Sequence, residues 1–314
     1  MNAIGIDMSK DSFHAAFDEQ EVLKFVNSKE GINEFLEKLK TKNIKLKDCT
    51  IGVEATGIYH LLFCTQLSKI KLGVLVINPL ESHRMITSTL RAVKTDRHDA
   101  LAIRKMVLLG SGYLFTDTPS VLALKALVSE REALVQLQTM TKQRKHVHSI
   151  RENSIDMPIY DSFYNLTVVL KQEIQNIEKR MQTYSIETQS LLKTIPGVGK
   201  VTAATLVAFI GDIKRFSSPE KLVAYIGLDC RVYQSGTSVK GKGYISKRGN
   251  SYLRHILFSA ALIARLHNPT LKRYFIKKTN EGKHYFSAMC AVERKLVHII
   301  WAVWRRGTPY EERP

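Results

Sequence analysis

Four carboxylates occupy positions where packing offers them little. Asp7 directly follows an apolar run in Ile4-Gly-Ile-Asp7-Met-Ser-Lys10, and Glu54 ends another in Ile51-Gly-Val-Glu54-Ala-Thr-Gly57. Asp96 and Asp99 fall three apart in Lys94-Thr-Asp96-Arg-His-Asp99-Ala100, which puts both on one helical face. Grouped, the four would repel one another unless a divalent cation neutralised them. Hard oxygen ligands holding Mg²⁺ or Mn²⁺ ions about 4 Å apart around a scissile phosphate are what two-metal phosphoryl transfer requires. Taken singly, each carboxylate also fits a turn cap or a surface charge. The set of four, in strand–strand–helix order, is far more specific.

A second constellation lies late in the chain. The loop Tyr233-Gln-Ser-Gly-Thr-Ser-Val-Lys-Gly-Lys-Gly243 is rich in small residues, and Lys240, Lys242, Lys247, Arg248 and Arg254 follow Ser235 closely. A serine in such a loop fits two roles. It can donate a hydrogen bond to a phosphate, or it can attack a phosphodiester and conserve the bond energy as a phosphoserine ester, with the neighbouring cations stabilising phosphoryl charge. Upstream, Ile195-Pro-Gly-Val-Gly199-Lys200 reads as the turn of a helix-hairpin-helix, in which Gly197 and Gly199 permit close approach and backbone amides beside Lys200 face a phosphate. The same pattern also serves a tight turn between core helices.

Charge sorts these features into regions. The chain of 314 residues carries 47 Lys and Arg against 29 Asp and Glu, a net of +18. Residues 1–118 contribute +2 and residues 119–192 contribute +1. Residues 193–314, with 22 basic and 7 acidic side chains, contribute +15. Concentration of this kind is the electrostatic footprint of a phosphate-backbone partner, with steep salt dependence expected of that part. Basic residues interleaved with Gly and Tyr do not line an amphipathic helix, which argues against a membrane surface. Four scattered cysteines with no CxxC pair exclude a zinc finger of the usual spacing and argue against a disulfide scaffold. No early apolar leader and no membrane-length apolar run is present, so a soluble cytoplasmic protein is expected.

The elements that must position these residues follow from hydrophobic periodicity. Ala3–Ile6 and Phe13–Phe17 read as a hairpin, with Val22–Val26 as a third strand. Helical spacing over Gly31–Lys40 precedes a short strand at Thr50–Glu54, an apolar helix over 58–68, a buried strand at Gly73–Ile77 and a charged helix near 95–109. This order implies a mixed α/β sheet with helical cover. Residues 119–192 predict two long helices broken at Pro158, a helical hairpin that could be a spacer, a dimerisation arm or a packing layer. Residues 193–314 predict a mostly α-helical domain around a Gly-, Ser- and Lys-rich loop over 234–250.

Together these residues resemble a family. Gly5-Ile-Asp7-Met-Ser-Lys10, Gly52-Val-Glu54-Ala-Thr-Gly57, Asn78-Pro79 and Lys94-Thr-Asp96-Arg-His-Asp99-Ala100 resemble the DEDD transposases of bacterial insertion sequences, whose members are guided by a bridge RNA. Ile195-Pro-Gly-Val-Gly199, Tyr225-Ile-Gly-Leu228, Ser235-Gly236 and Ile245-Ser-Lys-Arg-Gly249 with Leu253-Arg254 are similar to the second domain of the same family. The resemblance implies a RuvC-like, RNase H-like catalytic domain over 1–118, a helical linker or dimerisation arm over 119–192, and a basic transposase domain over 193–314. It implies that Asp7, Glu54, Asp96 and Asp99 bind Mg²⁺ or Mn²⁺ and that Ser235, the serine before Gly236, is a nucleophile, with Ser238 second. Many relatives carry two serines before that glycine, where this chain has one. DNA, a noncoding guide RNA and a homo-oligomer, dimer or tetramer, are the implied partners.

The expected activity is therefore that of a recombinase that cuts and rejoins DNA, a DNA invertase being a close variant. Two other readings stand beside it: a metal-dependent junction nuclease with water as nucleophile, and a non-catalytic basic DNA-binding protein. An intact carboxylate tetrad weighs against the last.

Overall fold

The computed structural model describes residues 2–55, 57–87, 95–155, 162–231, 234–235, 239–240 and 244–312. They form two compact units, Met1–Thr116 and Asp117–Pro314. The first is built on a six-stranded sheet with spatial order β3-β2-β1-β4-β5-β6. Strands β1 (Asn2–Met8), β2 (Ser12–Ala16) and β3 (Val22–Val26) form an antiparallel meander. After helix α1 (Lys29–Thr41), β4 (Cys49–Glu54) joins β1 in parallel, and β5 (Val74–Ile77) joins β4 the same way after α2 (His60–Lys69). Helices α3 (Pro79–Thr87) and α4 (Asp96–Leu108) then lead to β6 (Tyr113–Leu114), antiparallel to β5 at the edge. The mixed sheet is as expected, with one adjustment: β1 runs on to Met8, so Asp7 lies inside the strand rather than after it.

The period-2 rule sorts the sheet into two faces. Ile4, Ile6, Phe13, Ile51 and Val53 are fully buried, and Phe13 packs edge-on to Phe35 of α1 and Phe63 of α2, with ring centroids 6.0 and 5.2 Å away. The other face receives α4. Gly5 and Gly52 sit opposite each other in the β1–β4 register. A Cβ on Gly5 would lie 2.2 Å from the Ala100 carbonyl oxygen, and one on Gly52 would lie 2.2 Å from Val107 Cγ2. Only glycine lets the helix backbone come this close.

The second unit is helical apart from two small ladders. Helices α5 (Pro119–Ile155) and α6 (Ser162–Met181) form the hairpin; Pro158 lies outside the described residues. The second helical run ends earlier than expected. It stops at Met181, and Ser185, at φ +48°, separates it from α7 (Ile186–Leu192). Helix α8 (Lys200–Ile210) is apolar nearly all round and buried from Ala203 to Ala208, as a central helix must be. Helix α10 (Ser251–His267) packs on it beside α5 and α7, and α9 (Pro219–Ile226), α11 (Pro269–Asn280) and α12 (Tyr285–Arg306) complete the same core. The expected loop over 234–250 contains paired backbone. Strand β7 (Cys230–Arg231) pairs with β10 (Tyr244–Ile245), and β8 (Gln234–Ser235) with β9 (Val239–Lys240). Among the described residues, no helix is long and apolar enough to cross a membrane.

Candidate active site

The acidic cluster follows from the glycine contacts. Asp7 and Glu54 come two residues after Gly5 and Gly52, so both carboxylates lie on the face covered by α4, just past the close contact. Helix α4 runs antiparallel to β1: Arg104 Nε donates to the Ala3 carbonyl at 3.0 Å, and Ala100 overlies Gly5. One turn back, Asp96 and Asp99 fall in the first turn of α4, level with Asp7. Thr95 caps this turn by accepting from the His98 amide at 3.3 Å. The positive end of the helix dipole favours both carboxylates there.

The charges of the other three carboxylates all reach Asp7. Burial pushes the Asp7 carboxyl up to about 7, and the charges of Asp99, Glu54 and Asp96 push in the same direction, against a backbone hydrogen bond at Met8. At neutrality, then, Asp7 is about half protonated where an ordinary aspartate would be ionised. Two further side chains, absent from the sequence reading, orient the carboxylates. His14 faces Asp7 in the β1–β2 register and places Nδ1 3.5 Å from Asp96 Oδ2. Ser82, buried on α3, donates to Glu54 Oε2 at 2.7 Å. The signal for His14 was the hairpin register; Ser82 follows Asn78-Pro79 in a helix whose docking no local pattern reveals.

Among the described residues, no three His, Cys, Asp or Glu side chains form a closed metal-ligand group. The donor set nevertheless fits a divalent cation: hard carboxylate oxygens, with Asp7, Glu54 and Asp99 half-buried, Asp96 exposed, and Asp7 disfavoured as an anion. A cation would relieve that repulsion.

In the second unit, the loop motifs lean on each other. Gly227 ends α9 at φ +84°, and a Cβ there would lie 2.7 Å from the Gly249 amide nitrogen. A Cβ on Gly249 would lie 2.2 Å from the Tyr225 carbonyl oxygen. The Tyr225–Leu228 and Ile245–Gly249 segments thus cross backbone on backbone, fastened by the Lys247 amide to the Gly227 carbonyl at 3.0 Å and by the buried Ser246 hydroxyl to Asp229. From this base rises the β7–β10 ladder, and the β8–β9 ladder lies between its strands in sequence. Ser235 pairs with Val239, and the residues between them, Gly236 and Ser238 included, lie outside the described residues, as does Lys242. For Ser235 and Lys240 only the backbone is described.

The remaining phosphate-binding candidates divide. Gly199 caps α8 with open space around it, Lys200 begins the helix exposed, and Lys247 and Arg248 are exposed. Gly197, at φ +90°, instead presses on α10, where a Cβ would lie 2.5 Å from the Ala260 carbonyl oxygen. Arg254 turns inward, its Nη1 donating to the carbonyls of Gly249 at 2.7 Å and Ile226 at 3.1 Å. These two residues hold the scaffold together.

The chain thus joins an α/β domain bearing an acidic cluster to a basic, mostly helical domain, the order of parts in the DEDD transposase class. A family model of that class, described as a transposase, matches residues 4–148, and a second, described as the transposase IS116/IS110/IS902 family, matches residues 189–275. The chain belongs to the IS110 family of DEDD transposases, enzymes of DNA recombination. It is 27% identical to the pilin gene-inverting protein of Moraxella lacunata over 99% of this chain and 98% of that protein. It is 26% identical to the transposase for insertion sequence element IS1328 of Yersinia enterocolitica, covering 98% of each. A transposase for insertion sequence element IS1111A of Coxiella burnetii is also 26% identical over 98% of this chain and 90% of that protein. Divalent-metal chemistry goes with the family.

Proposed function

We propose that the protein breaks and rejoins DNA strands with the carboxylates of Asp7, Glu54, Asp96 and Asp99 and the hydroxyl of Ser235. Its full-length matches include a gene-inverting protein and transposases, so the reading is pitched at the reaction common to them. The observation that carries it is the double glycine contact: Gly5 and Gly52 let α4 bring Asp96 and Asp99 to Asp7 and Glu54. The sheet order, an antiparallel meander followed by parallel β4 and β5, is compatible with an RNase H-like fold. The four carboxylates would hold Mg²⁺ or Mn²⁺, which supplies Lewis acidity at a phosphoryl oxygen.

Ser235 ends the two-residue strand β8 and pairs with Val239 of β9. Attack of its Oγ on a phosphodiester forms a phosphoserine ester and releases one DNA hydroxyl. Return of a hydroxyl to the same phosphorus reseals the strand with no external energy source. Lys240, Lys242, Lys247 and Arg248 would neutralise the phosphoryl oxygens, and the α7–α8 turn at Gly199 and Lys200, read as a helix-hairpin-helix, would grip backbone phosphate.

Two partners complete the reading. A noncoding guide RNA rests on the family resemblance. A homo-oligomer is supported by α5 and α6: Leu137, Met140 and Ile150 on one and Val168 and Val169 on the other are each about half exposed, an apolar stripe on the outer part of the hairpin. The test of the metal reading is Asp7→Asn. It should abolish strand cleavage and leave DNA affinity within about threefold; a variant that still cuts at the wild-type rate would end it.

A further inference from the structure

The β7–β10 ladder stands beside a groove of about 780 Å³ formed with α11 and α12. Its walls combine cations with aromatic faces. Lys283, Arg294 and Lys295 line it, with Lys278 a fourth cation whose charge is offset by Glu281 at 2.8 Å. His298 also faces it, and burial holds that imidazole below its ordinary pKa, so it adds no charge near neutrality. Tyr244, on β10, and Phe286, at the start of α12, line the same groove while 70% and 61% exposed. Phe286 sits in an aromatic cluster: it lies near-parallel to Phe258 and His284, with ring centroids 6.5 and 5.8 Å away, and meets Tyr285 edge-on at 5.5 Å.

Exposed aromatic faces beside unneutralised cations match one chemistry closely. An unpaired nucleic-acid strand presents phosphates and bases together, whereas a duplex hides its base faces. An acidic peptide would use the cations and leave the rings wet. We propose that this groove binds an unpaired strand of nucleic acid, with a base on Phe286 and phosphates on Lys283, Arg294 and Lys295. None of these residues belongs to the phosphate-binding set read from the sequence.

Fluorescence anisotropy of the full-length protein with labelled oligothymidylate, oligouridylate and a DNA duplex of equal length tests it. Phe286→Ala should weaken single-strand binding roughly tenfold, because one base stack is worth about 1–3 kcal/mol, and leave duplex affinity within about twofold. Phe286→Trp should restore it. Lys283→Ala with Lys295→Ala should lower the salt slope by roughly 1.4, at about 0.7 per contact on single strands. Tighter binding of oligouridylate would identify a guide strand as the occupant, and tighter binding of oligothymidylate a displaced DNA strand; either sustains the proposal. Equal loss on duplex and single strand from Phe286→Ala, or no loss on either with an unchanged melting temperature, overturns it. Failure of Ser235 or Asp7 variants to affect cleavage would refute the catalytic reading while leaving these affinities untouched.

Discussion

His14 Nδ1 stands 3.5 Å from Asp96 Oδ2, tying the second strand of the sheet to the first turn of α4. Because His14 also faces Asp7 in the hairpin register, one imidazole borders two members of the acidic cluster. Outer partners of this kind fix carboxylate orientation, and their loss typically costs about 10–100-fold in metal affinity or activity. His14→Ala should therefore slow strand cleavage by roughly tenfold or more and raise the Mn²⁺ concentration needed for half-maximal rate. DNA affinity, measured by anisotropy, should be unchanged.

Gly5→Ala tests the contact beneath the cluster. The added methyl would lie 2.2 Å from the Ala100 carbonyl oxygen and 2.3 Å from the Arg104 amide nitrogen, so α4 must shift. Overpacking against backbone on this scale costs about 1–3 kcal/mol. The urea midpoint of the first unit should fall accordingly. Cleavage should fall further than stability explains, since Asp96 and Asp99 move with the helix.

Glu293 predicts a pH effect in the second unit. It is 2% exposed on α12, its Oε1 has no hydrogen-bond partner, and burial pushes its carboxyl up to about 8 against the opposing charges of Arg254 and Arg294. A raised carboxyl means the folded state keeps a proton that the unfolded state has lost. Its stabilising contribution is full below about pH 4.5 and is lost as pH rises through about 8. Glu293→Gln should accordingly match wild type near pH 4 and melt several degrees higher at pH 9. A variant less stable than wild type at both pH values would mean the ionised carboxylate is paired.

Much of this arrangement was legible in the sequence. Alternating apolar residues over Ala3–Ile6 and the glycine-plus-acid repeats at Gly5/Asp7 and Gly52/Glu54 gave both the strands and the acidic residues. What local patterns could not give was the pairing between distant segments. Gly5 and Gly52 are opposite each other only because β4 docks beside β1, and Ser82 meets Glu54 only once α3 is placed. Arg254 and Gly197 read as phosphate contacts because a basic residue and a glycine turn look alike whether they face solvent or core. The backbone carbonyls that Arg254 satisfies come from residues 226 and 249, the former far away in sequence. The short ladders around Ser235 were read as loop because two-residue strands carry no periodicity.

The account stands on Ser235 as the residue that holds the cut strand. Incubating the full-length protein with its DNA substrate, divalent metal and any required guide, then denaturing and resolving the products, measures this directly. A covalent protein–DNA adduct should form with wild type and with Ser238→Ala, and vanish together with strand joining in Ser235→Ala. Undiminished cutting by Ser235→Ala, with no adduct from any variant, would make water the nucleophile and contradict the account.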